Sequence, residues 1–396
     1  MSTILVLCPY VPHPATHGGS IRSRVLLQAL AQDHTVHLAA AIASAADRAA
    51  AAALGEELGI AVHELPAHEA PRADLQRKLG YWARGASELL QRRWHSDARP
   101  AVHTLRETLR PHLLVLDSSF VLPLWDHTGN VLLHLHNLEH AMFARADAVR
   151  RRATDRLTRR IEAALIRRAE QRALVQASLA VTVSEDDRRI ARELCPSARI
   201  EVVPNSVDLD RLPLQPPAPP GPPRLLYVGG LDYPPNLEAV TELVERHLPG
   251  LRAAFPGLCV RLVGRDPAGV TARWRGRDGV EVVGPADDLL PHYRVSHAAY
   301  LPIRSGGGTR IKILEAWALG LPVLATAVGC EGLTADDGAH LRRFESPEQG
   351  LAALRDVLSG QAGALRAAGR ALVEGHYSHR AVVSRLRAVV SGALTT

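Results

Sequence analysis

Short runs of Val, Leu and Ile recur along the chain, separated by longer stretches in which apolar residues return every three or four positions. That alternation predicts βα units around parallel sheets. In the first half the apolar runs predict strands at residues 3–8, 34–40, 60–65, 113–117, 131–135, 179–183 and 200–203. None alternates strictly between apolar and polar, as expected of strands whose two faces are both covered by helices. The pattern halts at residues 213–223, where seven of eleven residues are proline. Such a segment is stiff, extended and unable to continue a helix or a central strand, so it reads as a linker. Beyond it, strands are expected at 224–228, 259–263, 280–283, 298–302, 322–325 and 340–344.

The two halves open alike. The first apolar run leads to His17-Gly18-Gly19-Ser20 before a helical stretch, and the run ending at Val228 leads to Gly229-Gly230 before another. Both arrangements put a glycine-rich turn at the C-terminal end of a strand, where open α/β sheets bind ligands.

Length agrees with two domains, since 396 residues at about 150 per domain leave room for two and a short appendage. With 46% hydrophobic and 22% charged residues, disorder and collagen-like repeats are excluded. The formal charge of +6 comes with abundant arginine and scarce lysine, and aromatic residues make up only 4%. So few stacking platforms argue against single-stranded nucleic-acid binding, and no nucleic-acid partner is expected. Cys8, Cys195, Cys259 and Cys330 stand too far apart for a zinc motif and read as small buried hydrophobes of a reducing compartment. Pro9 and Pro12 break the first apolar run, which lacks a basic leader and reads as a strand. No apolar stretch is long enough for a membrane span, so a cytoplasmic protein is expected.

Residues 145–172 hold ten arginines and four acids, with Leu157, Ile161, Leu165 and Ala169 at helical spacing as the expected buried stripe. The arginines are then a solvated helix face or a peripheral docking face for anionic membrane on the inner side.

The richest chemistry lies in residues 302–326, PIRSGGGTRIKILEAWALGLPVLAT. A strand is expected to end near Pro302, with a glycine-rich turn over Ser305 to Thr309 and a helix from about Thr309 to Leu319. Gly306, Gly307 and Gly308 would let backbone N–H groups approach a ligand, and the helix N-terminus adds partial positive charge, so a phosphate cradle is expected. Arg310 and Lys312 put two cations beside it, which suits a diphosphate. Positions two apart on a helix point about 200° from each other, so both reach one ligand only where the turn is still opening. Arg310 is expected to matter more. Glu315, further along the helix, is a two-oxygen acceptor suited to vicinal hydroxyls of a ribose or a sugar. His134 and His136 lie two apart at a strand's end, with Asn137 and Glu139 following.

The order of strand, glycine-rich turn, Leu-Glu-Ala and Gly-x-Pro-Val-x-Ala-Thr resembles the donor-binding signature of GT-B glycosyltransferases, in particular glycosyltransferase family 4. Residues 8–30 (CPYVPHPATHGGSIRSRVLLQAL) resemble that family's N-terminal glycine loop and first helix, and residues 135–140 (LHNLEH) its acceptor-domain histidine loop. Residues 181–208 resemble its last N-domain βαβ unit and crossover, and 228–236 and 283–286 its nucleotide-enclosing turns. The resemblance implies an α/β protein of GT-B type, two Rossmann-like parallel-sheet domains facing each other across a cleft. Residues 1–205 would be the acceptor domain and 206–375 the donor domain, with 376–396 crossing back to the first.

Carried over by resemblance, His136 lies near the sugar hydroxyls or the acceptor, with Arg310 and Lys312 stabilising the leaving diphosphate. Gly18, Gly19, Gly230, Gly284, Pro285, Gly306, Gly307, Gly308, Thr309 and Glu315 would bind the donor. The implied reaction is glycosyl transfer from a nucleotide sugar, UDP- or GDP-linked, to a hydroxyl acceptor, with retention of configuration, no required metal and no other cofactor. Two departures stand out. Gly307 occupies the place of the first of two family glutamates, and Gly230, Leu231 and Asp232 stand where many members carry cations, leaving Arg310, Lys312 or Arg304 to supply charge. A nucleotide-sugar epimerase and a non-catalytic nucleotide-sugar binding module are the rival readings.

Overall fold

The computed structural model describes residues 1–69, 75–145, 153–306 and 308–395; Gly307, Arg150, Arg151 and Arg152 lie outside the described residues. The chain divides into two compact units, Met1–Asn205 with Val382–Thr396, and Ser206–Ala381.

The first unit is built on seven strands, β1 (Thr3–Cys8), β2 (Thr35–Ile42), β3 (Ala61–Pro66), β4 (Leu113–Asp117), β5 (Val131–His134), β6 (Leu179–Thr182) and β7 (Ile200–Val202). They pair in the order β3-β2-β1-β4-β5-β6-β7, every neighbour parallel. Side chains alternate across the sheet. Ile4, Val6 and Cys8 therefore enter one apolar cluster while Leu5 and Leu7 enter another. Helix α1 (Gly18–Ala31) covers the first face through Val25, Leu26, Ala29 and Leu30. Val382, Leu386, Val390 and Ala393, far along the chain, join that same cluster.

On the opposite face, behind helix α2 (Glu139–Arg145), runs the long arginine-rich helix α3 (Ala153–Gln176). Its inward stripe differs from the expected one. Glu162, Ile166, Glu170, Ala173 and Leu174 are buried, whereas Leu157 is 62% exposed. The apolar period is present but rotated by about one residue, because two glutamates take inward positions and bond neighbouring segments. Glu162 accepts from Trp82 Nε1 at 2.6 Å, Ser87 Oγ at 2.6 Å and the Glu88 amide at 3.2 Å.

The second unit carries β8 (Arg224–Val228), β9 (Cys259–Val263), β10 (Val280–Gly284), β11 (Ala298–Leu301), β12 (Val323–Ala325) and β13 (Arg342–Arg343), all parallel, in the order β10-β9-β8-β11-β12-β13. The expected strand at 340–344 shrinks to two residues, because Leu341 and Phe344 are apolar for burial in the core rather than for pairing. Helix α4 (Pro234–Glu242) follows β8, and helix α5 (Ile311–Ala318) follows β11. Helix α5 starts two residues later than expected. Gly306 and Gly308 sit at φ of +98° and +73°, and Arg310 has extended backbone, so Thr309 and Arg310 stay in the turn.

The proline-rich segment does not join the two units; it lies within the second. Its extended backbone makes no regular ladder, and side chains bond its carbonyls and those beside it, Gln215 Nε2 donating to Pro213 O at 2.5 Å. From helix α6 (Ala362–Leu372), Arg366 donates to Gln215 O at 2.7 Å and Arg370 to Leu212 O at 3.1 Å. The Gln215 amide bonds Leu319 O at 3.0 Å.

Candidate functional site

In each unit the strand order reverses beside the first strand, between β8 and β11 in one and between β1 and β4 in the other. Such switch points open a crevice at the strands' C-terminal ends, and the predicted site residues gather there.

In the second unit three strands end side by side on glycine: Gly229 after β8, Gly264 after β9 and Gly284 closing β10. The Gly229 amide bonds Val263 O at 2.9 Å and the Gly264 amide bonds Gly284 O at 2.8 Å. A Cβ on Gly264, whose φ is +150°, would lie 2.1 Å from Gly229 O, so only glycine fits. Pro285 follows, exposed, and Gly230 O accepts from Asn236 Nδ2 at 2.8 Å.

Lys312, from the first turn of α5, does not stay beside the glycine-rich turn. It reaches the end of β8, donating to Asn236 Oδ1 at 2.8 Å with its Nζ 4.5 Å from the Tyr227 ring centroid. A Cβ on Gly229 would sit 2.7 Å from that nitrogen. Burial, with Arg310 nearby, pushes the ammonium pKa down to about 7, although Glu315 pulls the other way. Arg310 turns the opposite way, onto the glycine-rich turn itself, donating to Gly308 O at 2.9 Å and Ser305 O at 3.3 Å. Thr309 is buried beside it. Arg304 is committed elsewhere, to Glu242 at 3.2 Å and to Glu345. Burial pushes the Glu315 carboxyl up, against the pull of Lys312, and Tyr293 OH donates to it at 3.5 Å. Gly306 packs against the start of α4, where a Cβ would lie 3.0 Å from Tyr233 OH.

In the first unit Gly18 and Gly19 open α1, capped by His17, whose ring accepts from the Ser20 amide at 3.3 Å. A Cβ on Gly19 would lie 2.6 Å from Tyr10 OH and 3.4 Å from His136 Nδ1, so these groups meet at the helix start. The other ring nitrogen of His136 bonds Asp117 Oδ1 at 2.6 Å, and His134 Nδ1 bonds the same oxygen at 2.7 Å. Burial raises the Asp117 carboxyl, but His136 and His134 outweigh it and hold the group well below the carboxylate range. Burial and Arg22 push His134 down to about 3, so its ring is neutral. An ionised carboxylate only accepts, so both histidines donate to it. His136 thereby directs its Nδ1 toward Gly19.

Among the described residues, Asp117, His134 and His136 bring three metal-ligating atoms within 4.8 Å of one another. Their contacts of 2.6 and 2.7 Å are hydrogen bonds. Asp208 and Asp210 form an Asp-x-Asp pair, but Asp208 accepts the Asp210 amide at 3.0 Å and faces Arg211.

Sequence reasoning missed Asp117, Gly264, Tyr227 and Tyr293, and the part played by Asn236, which closes the stretch 228–236 read as a nucleotide-enclosing turn. Asp117 and Gly264 had a signal, each ending or following an apolar run at a strand's C-terminus. The other three are brought in by tertiary packing.

Residues 222–359 match the family described as Glycosyl transferases group 1. No curated protein matches the chain in sequence. Among solved structures, sucrose-phosphate synthase from Thermosynechococcus elongatus is similar over 99% of both chains, with 17% identity and a TM-score of 0.71. Anabaena HepE in complex with UDP and glucose matches 99% of this chain and 100% of its own, with 13% identity and a TM-score of 0.64. A glycosyltransferase from Rickettsia africae covers 100% of this chain and 99% of its own, with 13% identity and a TM-score of 0.64. The two parallel-sheet α/β units are those of the GT-B fold.

Proposed function

We propose that the protein transfers a sugar from a nucleotide-sugar donor to a hydroxyl acceptor. One observation carries the reading: the segment that matches the group 1 glycosyltransferases contains the three strand-end glycines, Lys312 and Glu315, gathered at one switch point. The bound UDP and glucose of the Anabaena relative support a donor of the same class, UDP- or GDP-linked. The donor's diphosphate would lie against the backbone of Gly229, Gly230, Gly306, Gly308 and Thr309, with Lys312 as its cation. Glu315 would accept from ribose or sugar hydroxyls.

As the glycosidic bond breaks, negative charge grows on the departing diphosphate. Lys312 and the α5 N-terminus are fixed where that charge develops, an arrangement that contributes several kcal/mol to catalysis. Arg310 acts one step removed, by holding the carbonyls of the turn. We assign the acceptor to the first unit, where His136 offers Nδ1 beside Gly18 and Gly19. Retention of configuration and independence of a metal belong to this proposal, as do membership of glycosyltransferase family 4 and a cytoplasmic site of action. Among the described residues no helix is long and apolar enough to cross a membrane. The exposed arginines of α3 would dock the protein on an anionic lipid surface.

The test is a panel of UDP- and GDP-sugars read by thermal shift, followed by product analysis with hydroxyl acceptors. A donor at 100 times its Kd stabilises by ~2.7 kcal/mol. A donor that binds and is transferred, with unchanged activity after chelation, supports the proposal. Binding with no transfer to any acceptor favours a binding module, and a new sugar epimer from donor alone favours an epimerase.

A further inference from the structure

Asp117 and His136 meet at 2.6 Å across two neighbouring strands, Asp117 pairing with His134 at the end of the sheet, and just beyond that pair both segments leave regular structure. Asp117 is the last residue of β4. The next residue, Ser118, has φ of +96°, a conformation that a serine adopts only when its surroundings impose it. His136 lies beyond the end of β5, in the short connection to α2.

Beyond the strand ends, one side chain ties the two segments together. Glu170 of α3 is fully buried and accepts four hydrogen bonds. Its Oε1 takes Ser119 Oγ at 2.8 Å, two residues after Asp117, and the Glu139 amide at 2.8 Å, three residues after His136. Its Oε2 takes His140 Nδ1 at 2.6 Å and the His140 amide at 3.4 Å. Four donors converge on two oxygens, which fills a carboxylate. A glutamine of the same shape would turn an NH2 group toward at least one N–H donor and lose that bond. The helix behind Glu170 is anchored through Ile166, Ala173 and Leu174, so the carboxylate is a fixed point rather than a follower of the loops. Glu139, whose carboxyl burial and Glu170 push up to about 8, stays uncharged at neutral pH and does not compete for these donors.

We propose that Glu170 is a positioning residue: by clamping Ser119 and the start of α2 together, it sets the Asp117–His136 hydrogen bond and so aims His136 Nδ1 at the acceptor. The inference deepens the proposed glycosyl transfer and rests on it for the acceptor. The hydrogen bond itself is measurable without turnover.

The experiment uses the full chain labelled with 15N-histidine, with His136 assigned by loss of its signals in His136→Gln. At pH 7 the wild type is expected to show a protected, downfield Nε2–H for His136. Glu170→Gln is expected to lose that signal and to lower kcat at least tenfold with the donor KM within twofold. Glu162→Gln, equally buried on the same helix but bonded to Trp82 and Ser87, is expected to leave both readouts at wild-type values. Should Glu170→Gln fail to fold, Ser119→Ala removes one of the clamping bonds while leaving the core intact, and is expected to weaken the protection of the same proton. An unaltered His136 signal in Glu170→Gln, or in Ser119→Ala where that is the variant that folds, overturns the clamp. Loss of the signal in both Glu170→Gln and Glu162→Gln also overturns it, as general loosening. If the wild type transfers no sugar, the proposed function fails, and the histidine spectra still decide the clamp.

Discussion

Lys312 is the side chain whose chemistry depends most on where the fold places it. A lysine ordinarily titrates near 10.4, and burial with Arg310 nearby lowers this one to about 7. Above that pH the free site holds a neutral amine, while a bound diphosphate favours the ammonium. Binding of UDP or GDP above pH 7 therefore takes up a proton, and affinity falls as pH rises, by up to about tenfold per unit. Calorimetry in buffers of different ionisation enthalpy should show that uptake, and Lys312→Met should abolish both the uptake and the slope. An affinity independent of pH from 7 to 9 in the wild type would place the diphosphate away from Lys312. Glu315 gives a second test. Hydrogen bonds to a charged group contribute roughly 1.5–3 kcal/mol each, so Glu315→Gln should lower kcat/KM by at least about tenfold in a folded variant. Initial rates with near-ultraviolet circular dichroism as the fold control decide it. Both residues were legible in the sequence because the glycine turn, the lysine and the glutamate are local in the chain. Their partners were not: Tyr227, Asn236 and Tyr293 arrive from 22 to 85 residues away, and no local pattern marks them as partners.

At the scale of elements, every apolar run expected to be a strand overlaps one, reduced at 340–344 to the pair Arg342–Arg343, because a strand buried on both faces writes itself as a run of Val, Leu and Ile. Helix faces were harder to read. In α3 the expected stripe was off by about one position because Glu162 and Glu170 turn inward, and a buried, fully bonded carboxylate looks like a surface residue in a sequence. The outward side of that helix carries Arg156, Arg160, Arg167 and Arg168 beside Leu157 and Val175, which are 62% and 65% exposed. Co-sedimentation with vesicles should rise with anionic lipid and fall with salt, and replacing these four arginines by glutamine should remove it. Equal sedimentation with neutral vesicles would leave them as a solvated face. The strand ends admit a sharper test. Gly264→Ala would press a methyl group onto Gly229 O, and overpacking of this kind costs about 1–3 kcal/mol. The melting transition of the second unit should fall by roughly 2–4 °C per kcal/mol, with nucleotide affinity falling too as the glycines move apart. A variant with wild-type melting and affinity would mean that the three strand ends yield without cost.

For the whole molecule, two βα halves could be read from the restart of the pattern after the prolines, and the return of residues 376–396 to the first was implied by the family resemblance, whereas the place of the proline segment inside the second unit could not be read from the pattern. That place depends on which surface lies open to receive it. Helix α7 (His379–Leu394) begins in the second unit, but from Val382 onward it belongs to the first. Each large apolar side chain it buries contributes about 1.5–3 kcal/mol. Ending the chain at Ala381 should therefore lower the melting transition of the first unit, while that of the second unit and its nucleotide binding persist. The same helix sets an order in time. A ribosome adds roughly 5–20 residues per second, so the 176 residues of Ser206–Ala381 take it roughly 10–35 s. Throughout that interval the first unit, although synthesised first, waits with part of one face of its sheet uncovered, the part that α1 leaves to the last helix, and the second can fold ahead of it. A nascent chain that closes last at its own beginning is exposed to chaperones longest at its N-terminal half, and a stall late in translation would strand the half that was made first.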